Sequence, residues 1–244
     1  MTDKVIRLFG GHRNKVFLTD GIVKIVWKDG FKRQKQIREG VLLENFVAVH
    51  TDIKSRMLVD KSKPVEVENG ELVTYFNYAQ GEIRYPWNLE EIASATKLLG
   101  KLHLKINSSL PLTPYSLLHL DFARGNVLFQ PGSTNAIGVI DFETTAKGPV
   151  EQELGRTLSF ILVDSPTSLS LRGALATRQS SPDRHASLAM TFLQRSESFL
   201  TNYGLPYRKE DVVKWTNKYL LGDDFGNLNS VREVAIQFIN SLAH

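Results

Sequence analysis

In "HLDFARGNVLF", residues 119–129, Asp121 is followed five positions later by Asn126, and Asp141 closes the next apolar run in "IGVIDFE". Hard cations such as magnesium take oxygen ligands, commonly one or two from protein, with phosphate and water completing the octahedron. An Asn in a loop and an Asp at the end of a neighbouring strand supply such oxygens if the strands pair. Asp121 is then left free to take a hydroxyl proton. Each of the three alone reads more simply as an ordinary turn residue. Their order and spacing together fit that ordinary reading poorly.

A cation upstream belongs with these oxygens. Lys24 lies in "GIVKIVWK", flanked by Ile22, Val23, Ile25, Val26 and Trp27. A strand apolar on both faces is expected to be buried, and an ammonium there needs an anion. The alternative is a lysine reaching out from an edge strand. Helix geometry nominates Glu39 as its partner, because Glu39 shares a face with Leu42, Leu43, Phe46 and His50. Glu44 lies about 140° away by the same period and is expected to face water. Gly10-Gly11 lets the backbone approach a ligand, although any hairpin can use glycine there. The phosphate-loop pattern of Gly, four residues and Gly-Lys-Ser/Thr is absent. Lys97, Lys101 and Lys105 form a solvated helical stripe with no assigned function.

The elements that must position these groups divide the chain. "KVIRLFGG", "KVFLTDG" and "IVKIVWKDG" are short strands rich in Val, Ile and Phe, punctuated by glycine turns. "PVEVENGELVTYFNYA" reads as a hairpin about Asn69-Gly70. Between them, residues 31–50 are expected to form one long helix. From "AQGE" onward the pattern is mainly helical. Asn88 and Glu91 make a capping box for a helix to about residue 106. Ser181-Pro182 opens another helix that closes near Gly204, Gly222 follows a third, and Asn229-Ser230 opens a fourth. Short strands are expected around 126–129 and 136–141. The organisation read from this is a β-rich small lobe, residues 1–79, and a helical large lobe, residues 80–244.

Composition narrows the classes. The 244 residues are 42% hydrophobic and 23% charged, suited to a globular protein, and no apolar run approaches a membrane span. The opening residues carry no secretory pattern, so a cytoplasmic location is the expectation. The absence of cysteine excludes disulfides, thiolate chemistry and cysteine zinc sites. The net charge of +4 arises entirely in residues 1–79, with 14 basic against 10 acidic residues; residues 80–244 balance at 16 each. A solvated basic face or attraction for a nucleotide's phosphates would both explain this. Nucleic acid is disfavoured, because the run "KDGFKRQKQIR" carries Phe31 as its lone aromatic.

With these residues in view, the sequence resembles the protein-kinase-like phosphotransferases, and within them the aminoglycoside phosphotransferase and choline kinase group. His119, Asp121, Gly125 and Asn126 match that group's loop, whereas Leu120, Phe122, Ala123 and Arg124 depart from it. "GVIDFE", "REGVLLENF" and "FGGHRNKVFLTDGIVKIV" match its metal strand, its helix and its opening strands. The likeness spans residues 8–155. It implies an α+β, protein-kinase-like two-lobe fold, with a small antiparallel β lobe holding one long helix and a mainly helical large lobe. It also implies ATP or GTP and Mg2+ as cofactors and a small-molecule hydroxyl acceptor, with neither nucleic acid nor membrane as partner, in a monomer or homodimer.

Carried over by position, Asp121 would be the catalytic base, and Asn126 and Asp141 the metal ligands. Lys24 would meet the α- and β-phosphates, braced by Glu39, and Gly10, Gly11 and Asn14 would lie over the phosphates. "FNYA", 76–79, would meet the adenine edge through backbone at Asn77 and Ala79, and His119 would shape the loop. Arg124 would bind an anionic substrate or face solvent. Glu151 with Glu153, and Asp223 with Asp224, are the acidic clusters of the large lobe. Two other readings compete: a nucleotide-binding regulatory protein without turnover, and a magnesium-dependent hydrolase, which leaves Lys24 and Glu39 unexplained.

Overall fold

The structure, a computed structural model, describes residues 6–8, 14–108, 116–123, 125–163, 182–222 and 229–241. Gly10, Gly11, Arg124, Asp223 and Asp224 lie outside the described residues.

Strands β1 (Ile6–Leu8), β2 (Lys15–Thr19), β3 (Ile22–Trp27), β4 (Glu66–Glu68) and β5 (Glu71–Asn77) form an antiparallel sheet in the order β1-β2-β3-β5-β4. The Asn69-Gly70 turn has both residues at positive φ, 49° and 79°, which matches the twist of the strands it joins. Residues alternate across β3. Val23, Ile25 and Trp27 join a core with Leu72 and Phe76 of β5 and with Ile37 and Val41 of the long helix, α1 (Gln34–His50). Residues 30–33 form a 3-10 turn that feeds α1, so the expected helix starts slightly late.

After β5 the chain leaves this sheet. β6 (Glu82–Ile83) pairs with β8 (Val127–Phe129), which pairs with β9 (Ala136–Val139). β7 (Ser116–Leu118) pairs with β10 (Ala146–Gly148). Helix α2 (Leu89–Ser108) starts at the expected capping box: the Glu91 amide donates to Asn88 Oδ1 and the Asn88 amide to Glu91 Oε2, both at 2.9 Å. Helices α3 (Val150–Val163), α4 (Pro182–Asn202), α5 (Lys209–Gly222) and α6 (Asn229–Ser241) complete the α+β fold. The second core joins Leu99 and Leu102 of α2, Phe122, Phe129, Leu158 of α3, Phe192 and Phe199 of α4 and Ile239 of α6. No described helix is long and apolar enough to cross a membrane.

Candidate active site

The β8–β9 hairpin brings the three oxygen-bearing side chains to one place. Val127 faces Val139, and the Ile140 amide donates to the Asn126 carbonyl at 2.9 Å, so Asn126 and Asp141 leave the same end of the hairpin. Asn126 Nδ2 donates to Asp121 Oδ2 at 2.8 Å and to the Asp121 carbonyl at 3.0 Å. That use of the amide nitrogen leaves the Asn126 side-chain oxygen for another partner. Asp141 Oδ1 is shut off from solvent and has no hydrogen-bond partner. Burial pushes the Asp141 carboxyl up to about 7; Arg56 pulls the other way, while Glu143, Glu44 and Asp121 add to the rise.

A buried carboxylate oxygen without a partner is costly, and a cation would offset that cost. The donor set therefore fits a hard divalent ion. Among the described residues no group of three or more His, Asp or Glu side chains surrounds a metal position. A magnesium ion here would complete its shell with phosphate and water.

The loop carrying Asp121 is held from below. Glu153, on α3 and fully buried, accepts the His119 amide at 2.9 Å and the Leu120 amide at 2.8 Å. Its Oε2 also meets His103 Nε2 at 2.7 Å, and His103 Nδ1 meets the Tyr203 hydroxyl at 2.5 Å. Burial opposes the Glu153 charge, yet the contact with His103 and the His119 amide hold the carboxyl below its ordinary range. The His119 ring donates from Nε2 to the Ile140 carbonyl at 3.0 Å and accepts the Asp121 amide at Nδ1, 3.2 Å. The ring thus joins the Asp121 loop to the strand that leads to Asp141. Leu120 sits at φ 58° and Asp141 at φ 69°, a left-handed conformation that costs a non-glycine residue about 1–2 kcal/mol. The bonds above maintain Leu120 in that state.

Glu143, two residues past Asp141, is buried and receives Arg33 Nη2 at 3.0 Å and Asn14 Nδ2 at 3.2 Å. Asn14 Oδ1 in turn accepts the Lys28 amide at 3.2 Å. Asn14 is thereby brought beside the loop that follows Asp141. At the end of β5, the Asn77 amide donates to the Met57 carbonyl at 2.7 Å and the Tyr78 amide to Gly21 at 2.8 Å, ahead of Ala79.

The lysine–glutamate pair departs from expectation. Lys24 points away from α1: it faces Tyr75 across the strands and pairs with Glu68 of β4 on the outer side of the sheet. Its side chain is 33% exposed, so the buried reading fails. Glu39 is exposed too and lies 4.0 Å from Lys35. Glu44, expected in water, is 2% exposed and grips Arg56 with two hydrogen bonds, 2.5 and 2.9 Å. The reason is that α1 is apolar over much of its circumference, so two arcs compete. The packed arc is Ile37, Gly40, Val41, Glu44 and Val47. Gly40 was the available signal, because a Cβ there would lie 2.4 Å from the Phe142 carbonyl oxygen. Strand alternation likewise placed Lys24 opposite Val23 and Ile25. Glu153 could have been found as an acid that shares the apolar face of α3, a helix buried on nearly every side, with Leu154 and Thr157. It and Glu151 are no ligand cluster, since Glu151 accepts the Arg208 amide at 2.9 Å.

The model of the phosphotransferase enzyme family matches residues 62–189, over half of the chain. The chain belongs to this family. It is a phosphotransferase acting on a hydroxyl group of a small molecule. No curated protein matches it by sequence. Among solved structures, this phosphotransferase is similar to a choline/ethanolamine kinase family protein from Mesorhizobium loti, with 15% identity and a TM-score of 0.56 over 99% of this chain and 88% of that one. It is similar to APH(2")-IIa in its gentamicin complex, with 15% identity and a TM-score of 0.57 over 98% and 90%. It is also similar to ADP-bound aminoglycoside phosphotransferase APH(2'')-Ib, with 14% identity and a TM-score of 0.55 over 99% and 92%. The fold is the two-lobed, protein-kinase-like one.

Proposed function

We propose that this phosphotransferase is a magnesium-dependent kinase that moves the γ-phosphate of ATP or GTP to a hydroxyl of an uncharged or weakly cationic small molecule. Residues 1–79 form its nucleotide lobe and residues 80–244 its catalytic and acceptor lobe. The observation that carries the reading is the junction of Asp121, Asn126 and Asp141. One carboxylate is oriented by an amide, and across a two-strand hairpin a second carboxylate oxygen is buried without a partner.

In this reading Asp121 Oδ2, fixed by Asn126, accepts the acceptor's hydroxyl proton as the oxygen moves toward phosphorus. Asn126 and Asp141 hold magnesium, which supplies neutralisation of the phosphate charge. Asn14, tied to Glu143, adjoins the phosphates. The backbone at Asn77 and Ala79 meets the purine edge. Lys24 and Glu39 are left out of the site in this reading, because Lys24 pairs with Glu68 and Glu39 faces solvent. Amino alcohols, sugars and related metabolites are the acceptors favoured. Two of the similar proteins are named for choline or ethanolamine and for a gentamicin complex, which supports a small hydroxyl compound without choosing one.

The test is a coupled ADP-release assay over a panel of hydroxyl compounds with wild type and Asp121→Asn. Acceptor-dependent turnover that falls with the variant is the expected result. Tight nucleotide binding with no turnover on any acceptor would favour a regulatory role.

A further inference from the structure

The metal loop needs a brace from the small lobe, and the expected pair does not provide it. What does meet the loop is Glu44. Its Oε1 accepts Arg56 Nε at 2.5 Å, while Oε2 accepts Arg56 Nη2 at 2.9 Å and the backbone amide of Asp141 at 3.1 Å. Both side chains are nearly excluded from water, at 2% and 7% exposure. The Arg56 guanidinium lies 4.8 Å from the ring centroid of Phe76, the penultimate residue of β5. The neighbouring segment is fixed independently: the Lys54 amide donates to the Ile137 carbonyl and the Lys54 carbonyl accepts the Val139 amide, both at 2.9 Å, and Ser55 Oγ donates to the Val139 carbonyl at 2.6 Å.

We propose that Glu44 and Arg56 are the positioning pair of the phosphoryl-transfer site, setting the Asp141 carboxylate for metal by holding its backbone amide. The inference rests on the reading of Asp141 as a metal ligand. Asp141 sits at φ 69°, and its side-chain direction follows from that backbone state. With the amide held by Glu44, Oδ1 is kept aimed inward and unpartnered. Arg56 is needed because an unpaired Glu44 would be a buried charge that neutralises or turns away. A planar fork satisfies both oxygens at once, which an ammonium would not. Neither residue touches substrate; both act through Asp141.

The experiment separates positioning from simple support of the fold. Affinity for a fluorescent ATP analogue is measured with and without magnesium for wild type, Asp141→Ala, Glu44→Gln and the apolar double variant Glu44→Leu/Arg56→Met. Hydrogen exchange of the peptide around Asp141 is followed without metal. The double variant replaces a buried ion pair by apolar groups, a change that commonly preserves stability. Glu44→Gln is expected to reduce the magnesium-dependent gain in affinity by about tenfold, with metal-free affinity within about twofold of wild type. The double variant should melt near wild type, still lack the gain and exchange faster at Asp141. If the double variant folds with the wild-type magnesium gain, the pair only supports the fold and the proposal is overturned. If Asp141→Ala itself keeps the gain, the metal reading of Asp141 fails instead, a result visible before either Glu44 variant is considered.

Discussion

Glu153 Oε1 accepts the Leu120 amide at 2.8 Å, and Leu120 is the residue at φ 58° immediately before Asp121. A buried carboxylate from α3 thus holds the left-handed residue that sets the direction of Asp121. Glu153→Ala would strip two amides and His103 of their acceptor, and the expected loss is roughly 3–5 kcal/mol, read by urea denaturation. Because its folded carboxyl lies below the unfolded one, the contribution is present above the unfolded pKa and disappears as acid protonates the folded group. A wild-type midpoint for the variant would contradict the arrangement.

Asp121→Asn should lower kcat by about 10²–10⁴-fold while nucleotide affinity stays near wild type, since Asp121 faces the acceptor side. Steady-state rates beside analogue titrations test both halves. Near wild-type turnover would remove Asp121 from the role of base.

The Asp141 carboxyl, pushed up to about 7 by burial, makes a signed prediction for protein without metal. A carboxyl whose folded pKa exceeds its unfolded value favours the fold in acid, and that benefit is lost as pH rises from about 4 to about 7. Asp141→Asn carries no such charge. It should match wild type near pH 4 and exceed it by up to about 4 kcal/mol at pH 8, in chelator. Parallel pH-stability curves for the two proteins would refute the buried, unpartnered charge.

Lys24→Ala and Glu39→Gln should each leave magnesium-nucleotide affinity within about twofold, because Lys24 pairs with Glu68, Glu39 with Lys35, and exposed pairs are worth at most about 1 kcal/mol. A large loss in the Lys24 variant would place its ammonium in the nucleotide site after all.

Aminoglycosides carry several ammonium groups and call for carboxylates to meet them. Glu153 is spent on the catalytic loop and Glu151 accepts the Arg208 amide, so the acidic side chains of α3 are already engaged. Turnover of kanamycin-type and streptomycin-type drugs should therefore trail that of choline, homoserine or sugars. Efficiency above about 10⁴ M⁻¹s⁻¹ on any aminoglycoside would reverse this and direct mutation to Asp223 and Asp224.

The sequence was most legible where the physics is local. The Asn69-Gly70 hairpin needs only two residues that tolerate positive φ, and the Asn88–Glu91 box only four consecutive positions. The Asp121–Asn126–Asp141 set was also legible, because one short hairpin joins its parts. Glu44, by contrast, finds Arg56 twelve residues on, through a chain path that no period encodes, and its amide contact to Asp141 spans 97 residues. Two apolar arcs on α1 were equally plausible by period alone. What decides between them is a neighbour's backbone, which only the fold supplies.

That neighbour is Phe142, whose carbonyl oxygen would lie 2.4 Å from a Cβ at Gly40. No side chain cushions the meeting of helix and loop, so neither can slide past the other without opening a gap beside the hairpin. Helix α1 is in effect keyed into the loop after Asp141. Opening of the cleft would then pivot at the connection after Asn77, with α1 travelling alongside Asp141. A switch of the kind that swings this helix outward to silence an enzyme has little room to operate here, and control would have to act on the nucleotide or acceptor instead.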